Sequence, residues 1–192
     1  MPVSKKKRSA NTNSRNSSRR QNNHSGMDAI ALLKKDHQTV RRLLSKLESS
    51  AENRRSEAAT LLRQIENELK IHTQIEEEIF YPAFRDAVEG KEEEHIYYEA
   101  LEEHHVVDLV MPEIESTGRN SEEFPAKAKV LKDLVEHHAE EEESEMFPKA
   151  RKAMGAAELR ELGLRLQKRK EELMGGLTGR IQKMIQPKRR AA

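Results

Sequence analysis

From Ile30 onward, apolar residues return in alternating steps of three and four. Ile30, Leu33, His37, Val40, Leu44 and Leu47 mark one helix face, and Leu62, Ile65, Leu69, His72, Glu76 and Ile79 a second. Tyr97, Ala100, His104, Val107, Met111 and Ile114 mark a third, and Ala128, Leu131, Val135, His138, Glu142 and Glu145 a fourth. Such steps stack side chains along one side of an α-helix, so each stripe predicts a bundle helix. Asp28 stands at the expected N-cap of the first helix, and Ser121 with Pro125 at the start of the fourth. Pro82 and Pro148 are expected to end the second and fourth, because proline lacks an N–H and crowds the preceding turn. Beyond Gly155, the stretch AAELRELGLRLQKRKEEL predicts a fifth helix on the outside of the bundle, closed by Gly175 and Gly176.

The stripes are related in pairs. Adding 67 carries the first onto the third, with His37 falling on His104. Adding 66 carries the second onto the fourth: His72 onto His138, Glu76 onto Glu142, Glu77 onto Glu143, Pro82 onto Pro148 and Arg85 onto Arg151. The expected fold is therefore all-α. It is an up-and-down four-helix bundle with a pseudo-two-fold internal repeat plus a C-terminal fifth helix.

Composition narrows the picture. Charged residues make up 36% of the 192 and aromatics 4%, which fits long charged helices rather than a sheet. The absence of cysteine excludes disulfides and thiolate metal sites and fits a cytoplasmic setting. No apolar run is long enough to span a membrane, and the N-terminus lacks the apolar stretch of a secretory signal. Residues 1–26 hold seven cations (Lys5, Lys6, Lys7, Arg8, Arg15, Arg19, Arg20) and no acid. Residues 175–192 hold five more (Arg180, Lys183, Lys188, Arg189, Arg190), again with no acid. Taking those twelve from the total of 35 leaves 23 cations against 34 acids, a net of −11 for residues 27–174. The organisation expected is a disordered basic tail over 1–26, one acidic domain over 27–174 and a basic tail over 175–192.

Six polar residues stand where a bundle would place leucine: His37, His72, Glu76, His104, His138 and Glu142. Each half supplies one lone His and one His-x-x-x-Glu pair, whose members sit one turn apart on one face and can address one ion. One seam histidine is ordinarily a satisfied core residue. Four of them with two seam glutamates, repeated in both halves, point instead to a metal centre. Two-fold repetition implies two ions, with the glutamates available to bridge them. Imidazole and carboxylate without thiolate suit iron first, then manganese, then zinc. A structural zinc would leave two of the six ligands surplus. His24 falls in the tail, and His95, His105 and His137 lie off the seam on expected solvated faces. Glu77 and Glu143 are expected on a solvated face too, with outer hydrogen bonding to the centre as the alternative. Glu145 on the fourth seam has no evident role.

The segments KKDH around His37, IHTQIEEEIFYPAF around His72, EEHH around His104 and HHAEEEESEMFPKAR around His138 resemble the hemerythrin-like HHE family across roughly 27–174. The resemblance implies an oxygen-bridged centre of two non-haem iron ions on His37, His72, Glu76, His104, His138 and Glu142. The ligands it implies for that centre are O2, peroxide or nitric oxide, with a catalase-like peroxide- or oxygen-consuming activity among the outcomes. The chain departs from oxygen-carrying hemerythrins in having Asp108 where they place a further histidine, and Glu142 one residue before their aspartate. Fewer imidazoles leave more open positions, which favours reaction over reversible carriage. Asp108 is expected on the helix surface, with a ligand role as the alternative. Two other functions stay open: an iron- or oxygen-sensing or storage module without turnover, and weak polyanion or nucleic-acid contact through the tails.

Overall fold

The computed structural model describes residues 26–53 and 55–185, apart from the side chains of 51–56 and of 177 onward; residues 1–25 and 186–192 of the basic tails lie outside it. Among the described residues there is helix and no strand. Helix α1 spans Ala29–Asn53 and α2 Arg55–Ile75, followed by a π turn, Glu76–Phe80, and α3, Tyr81–Ala87. Helix α4 spans Lys91–Ser116 and α5 Glu123–Glu141, followed by a second π turn, Glu142–Met146, and α6, Phe147–Ile185. Helices α1, α2, α4 and α5 pack in a ring, each against its chain neighbours, with α5 closing back onto α1.

The core comes in two blocks. One holds Leu33 of α1, Phe80 and Phe84 beyond α2, Ala100 of α4 and Phe147 beyond α5. The other holds Leu44 and Leu47, Leu62 and Ile65, Met111 and Ile114, and Ala128 and Leu131. The beginning of α1 thus lies level with the end of α2, the beginning of α4 and the end of α5, the alternation of an up-and-down bundle. The predicted seams supply these blocks almost residue for residue. Asp28 caps α1 by accepting the Ala31 N–H on Oδ1 at 2.8 Å. Ser121 Oγ accepts the Glu123 N–H at 3.2 Å as α5 begins.

Three expectations fail at helix ends. Pro82 and Pro148 do not stop their helices, which run on to Ala87 and past Gly155. In each π turn the N–H reaches back five residues: Tyr81 donates to the Glu76 carbonyl and Phe147 to that of Glu142. The α-helix restarts there, and Pro82 falls in its first turn, where a missing N–H costs nothing. Each π turn also adds a residue to the seam. Phe80 and Met146 are fully buried, Ile79 is only partly buried, and Glu145 is exposed. The polar residue without a role on the fourth seam is therefore off it. Lastly, α6 runs through Gly175 and Gly176 to Ile185. It changes direction at Gly155, whose φ of 74° favours glycine. It then lays Leu159, Leu162 and Leu166 into the first core block.

Candidate metal centre

Between the two blocks lies a polar layer. His37, His72, Glu76, His104, His138 and Glu142 are each at most 6% exposed. Asp108 is on the surface, as are His95, His105 and His137. Within the layer, single donor atoms of His37, His72, Glu76 and Glu142 all lie within 4.8 Å of one another, and so do those of Glu76, His104 and His138. Glu76 belongs to both groups. Its Oε1 lies 3.2 Å from His72 Nε2 and its Oε2 3.5 Å from His104 Nε2. Glu142 Oε2 lies 3.1 Å from His37 Nε2 and 3.8 Å from His138 Nε2.

The outward ring nitrogens explain the inward ones. His37 Nδ1 lies 3.0 Å from Glu143, His104 Nδ1 2.8 Å from Glu77 and His138 Nδ1 2.8 Å from Glu103. His72 Nδ1 faces Asp36 at 3.9 Å, and Asp36 itself takes Lys170 Nζ of α6 at 2.5 Å. A carboxylate on Nδ1 holds the proton there and turns the Nε2 lone pair inward, as in metal-ligating histidines. Glu77 and Glu143 are therefore tied to the layer rather than merely solvated. Sequence reasoning missed Asp36 and Glu103. The available signal was position: each directly precedes a seam histidine and points to the seam histidine of the next helix.

The layer is short of protons. His37 Nε2, both nitrogens of His72 and all four oxygens of Glu76 and Glu142 are buried without a hydrogen-bond partner. Each such orphan costs roughly 1–3 kcal/mol in a dry interior. His104 Nε2 and His138 Nε2 face each other at 3.1 Å, lone pair to lone pair once Nδ1 carries the proton. Burial and the neighbouring Glu142 push the Glu76 carboxyl well up. Burial, with His37, His138 and His104 nearby, pushes the His72 imidazolium well down, which keeps that ring neutral. Convergent lone pairs without donors are what cations require, so the donor set fits metal.

Tyr81, also missed, is fully buried with its hydroxyl 3.2 Å from His104 Nε2. Sixty-six residues on, Phe147 stacks on His37 at 5.8 Å between ring centroids. The only cue to this difference was a Tyr-Pro and a Phe-Pro at corresponding places. A small cavity of about 20 Å³ opens beside the layer between Val40, Leu69, Val107 and Val135.

The model of the hemerythrin HHE cation binding domain matches residues 28–150. The chain belongs to that family. Among its relatives, the Rv2633c protein of Mycobacterium tuberculosis is 30% identical over 153 residues, covering 78% of this chain and 89% of that protein. A DNA nickase of Nostoc sp. is 24% identical over 153 residues, which is 80% of this chain but only 42% of the nickase. The chain thus spans less than half the length of that relative. The crystal structure of an HHE domain-containing protein of Mycobacterium kansasii, a homolog of Rv2633c, superposes with a TM-score of 0.70 at 27% identity. That match covers 81% of this chain and 93% of the other. No helix among the described residues is long and apolar enough to cross a membrane.

Proposed function

We propose that this HHE domain holds two non-haem iron ions on His37, His72, Glu76, His104, His138 and Glu142, and that it binds or reacts with O2, peroxide or nitric oxide. The observation that carries the reading is the six buried, unpartnered atoms converging in one layer: Nε2 of His37 and of His72 and the four carboxylate oxygens of Glu76 and Glu142. The two donor groups sharing Glu76 favour a pair of ions over one. We further read the two helical pairs as one design used twice, with the stretch after Gly155 as a fifth helix that carries Lys170 to Asp36.

Bound iron brings one-electron change at each ion, the chemistry those small molecules require. The chain's own residues do the rest. Glu143, Glu77 and Glu103 orient the imidazoles and hold the proton on Nδ1. Glu76 faces both groups. The Tyr81 hydroxyl adds an oxygen and a proton beside His104, where Phe147 offers only an apolar face beside His37. The walls of Val40, Leu69, Val107 and Val135 admit small neutral molecules more readily than charged ones.

Anaerobic iron reconstitution tests the reading, followed by exposure to oxygen and, separately, peroxide while absorption and gas evolution are measured. A spectrum that reverses on removing oxygen indicates binding. Gas release or irreversible oxidation indicates turnover. One zinc per chain, or no metal after reconstitution, defeats the di-iron assignment. A second reading, polyanion contact, draws on the twelve cations of the tails and on the nickase relative.

A further inference from the structure

Where α4 meets α5, a second group of ligand-type side chains lies outside the buried centre. His137 Nε2 is 3.2 Å from Glu141 Oε1 and 3.7 Å from Glu103 Oε1. One donor atom from each of the three lies within 4.8 Å of the other two. Beside them opens a small pocket of about 30 Å³, lined by Glu99, Glu103, Glu141, Glu142 and Glu145 and by no lysine or arginine. Glu142 is its inner end. It is 2% exposed, and neither carboxylate oxygen has a hydrogen-bond partner. Glu103 joins the two places, since its Oε2 accepts from His138 Nδ1 at 2.8 Å while its Oε1 faces His137.

Acidic side chains on a helix surface are ordinarily just solvated. This group differs in carrying an imidazole at coordinating distance and in running inward to a buried, unpartnered carboxylate. A divalent cation cannot shed its water into an apolar interior unless ligands replace that water step by step. The aromatic block and the aliphatic block cover the layer along the bundle axis, so the approach has to be lateral. The valine- and leucine-walled cavity towards the second block meets the four seam imidazoles but has Arg41 and no carboxylate in its lining, whereas the acidic pocket opens beside Ala100 and Met146 of the first.

We propose that Glu103, His137 and Glu141 form an outer divalent-cation site, and that the glutamate-lined pocket beside it is the path by which ferrous iron reaches Glu142. This rests on the reading that the buried centre holds iron. Two carboxylates and one imidazole suit a weakly held, exchangeable ferrous ion, and the acidic body draws cations towards the mouth.

The test is the rate of anaerobic ferrous uptake by the full-length apo-protein, followed as iron withheld from a chelator. It compares wild type, His137→Ala, and the triple change Glu99→Gln, Glu141→Gln, Glu145→Gln. The expected result is an unchanged final iron content with loading slowed roughly tenfold at low salt, the order of effect that charge steering gives. Mn²⁺ titration of the iron-loaded protein should show one further weak site in wild type that His137→Ala lacks. Equal loading rates with no Mn²⁺ difference overturn the proposal, and so does a lower final iron content reached at the wild-type rate, which marks a structural role. A wild-type protein that takes up no iron overturns the buried-centre reading first, and this inference with it.

Discussion

At the scale of single residues, the seam register separates ligand-type histidines from their neighbours. Adjacent positions on a helix point about 100° apart, and the structure buries His104 and His138 while exposing His105 and His137. His104→Ala and His138→Ala should lose iron by elemental analysis, whereas His105→Ala and His137→Ala should keep it. The outer carboxylates come next: Glu77→Gln and Glu143→Gln should each weaken iron retention about 10–100-fold in a chelator competition. Protons compete at the same atoms. Burial alone disfavours a charged His37, but the Glu142 carboxylate 3.1 Å from Nε2 and Glu143 on Nδ1 outweigh it and raise its pKa from 6.5 to about 9. The same His37 contact, with Arg41, holds Glu143 down at about 2. A raised histidine contributes stability in full below pH 6.5 and loses it as pH climbs through about 9. A lowered glutamate contributes in full above 4.5 and loses it as pH falls through about 2. The metal-free protein should therefore lose Tm steadily from pH 6.5 to about 9. A flat melting profile over that interval would count against a charged His37. The six seam positions were legible because each interrupts an apolar rhythm. Asp36, Glu103 and Tyr81 interrupt nothing, so spacing alone could not mark them.

At the scale of elements, helix existence was legible and helix continuity was not. Proline reads as a stop only where an α ladder must pass through it, and each π turn breaks that ladder just upstream. The trace left in the sequence is an unbroken step of four, Glu76 to Phe80 to Phe84 and Glu142 to Met146 to Ala150, all buried. Close helix contact was equally silent. A methyl group on Gly163 would lie 2.3 Å from the Met27 carbonyl oxygen and 2.8 Å from the Ala29 nitrogen. Backbone cannot yield as a side-chain tip does, so Gly163→Ala should cost about 1–3 kcal/mol in chemical denaturation. Because Lys170 sits two turns further along and supports Asp36 behind His72, that change should also loosen metal. Unaltered stability would mean that α6 packs less closely on the start of α1.

At the scale of the molecule, fold class was the most legible feature, since four seams of matched length leave few other ways to bury apolar surface. The charge segregation was equally plain, although residues 1–25 and 186–192 lie outside the described residues. The first core block begins at Ala29, so removing residues 1–26 should leave iron content and Tm unchanged. It should also lower the salt needed to elute the protein from heparin or DNA. Equal elution would make that tail a solubiliser, and a fall in Tm would move the domain boundary.

The crossed pairing of carboxylate and imidazole has a consequence for how the chain holds itself together. His37 is oriented by Glu143 and His104 by Glu77, so each helical hairpin presents its lone histidine correctly only in the presence of the other. Suppose the chain were cut at the Val88–Gly90 connection. Neither fragment would own a finished ligand set, and occupancy would become a second-order process that depends on protein concentration as well as iron. Iron would then act as the fastener between two separable pieces, and a chelator as the agent that releases them.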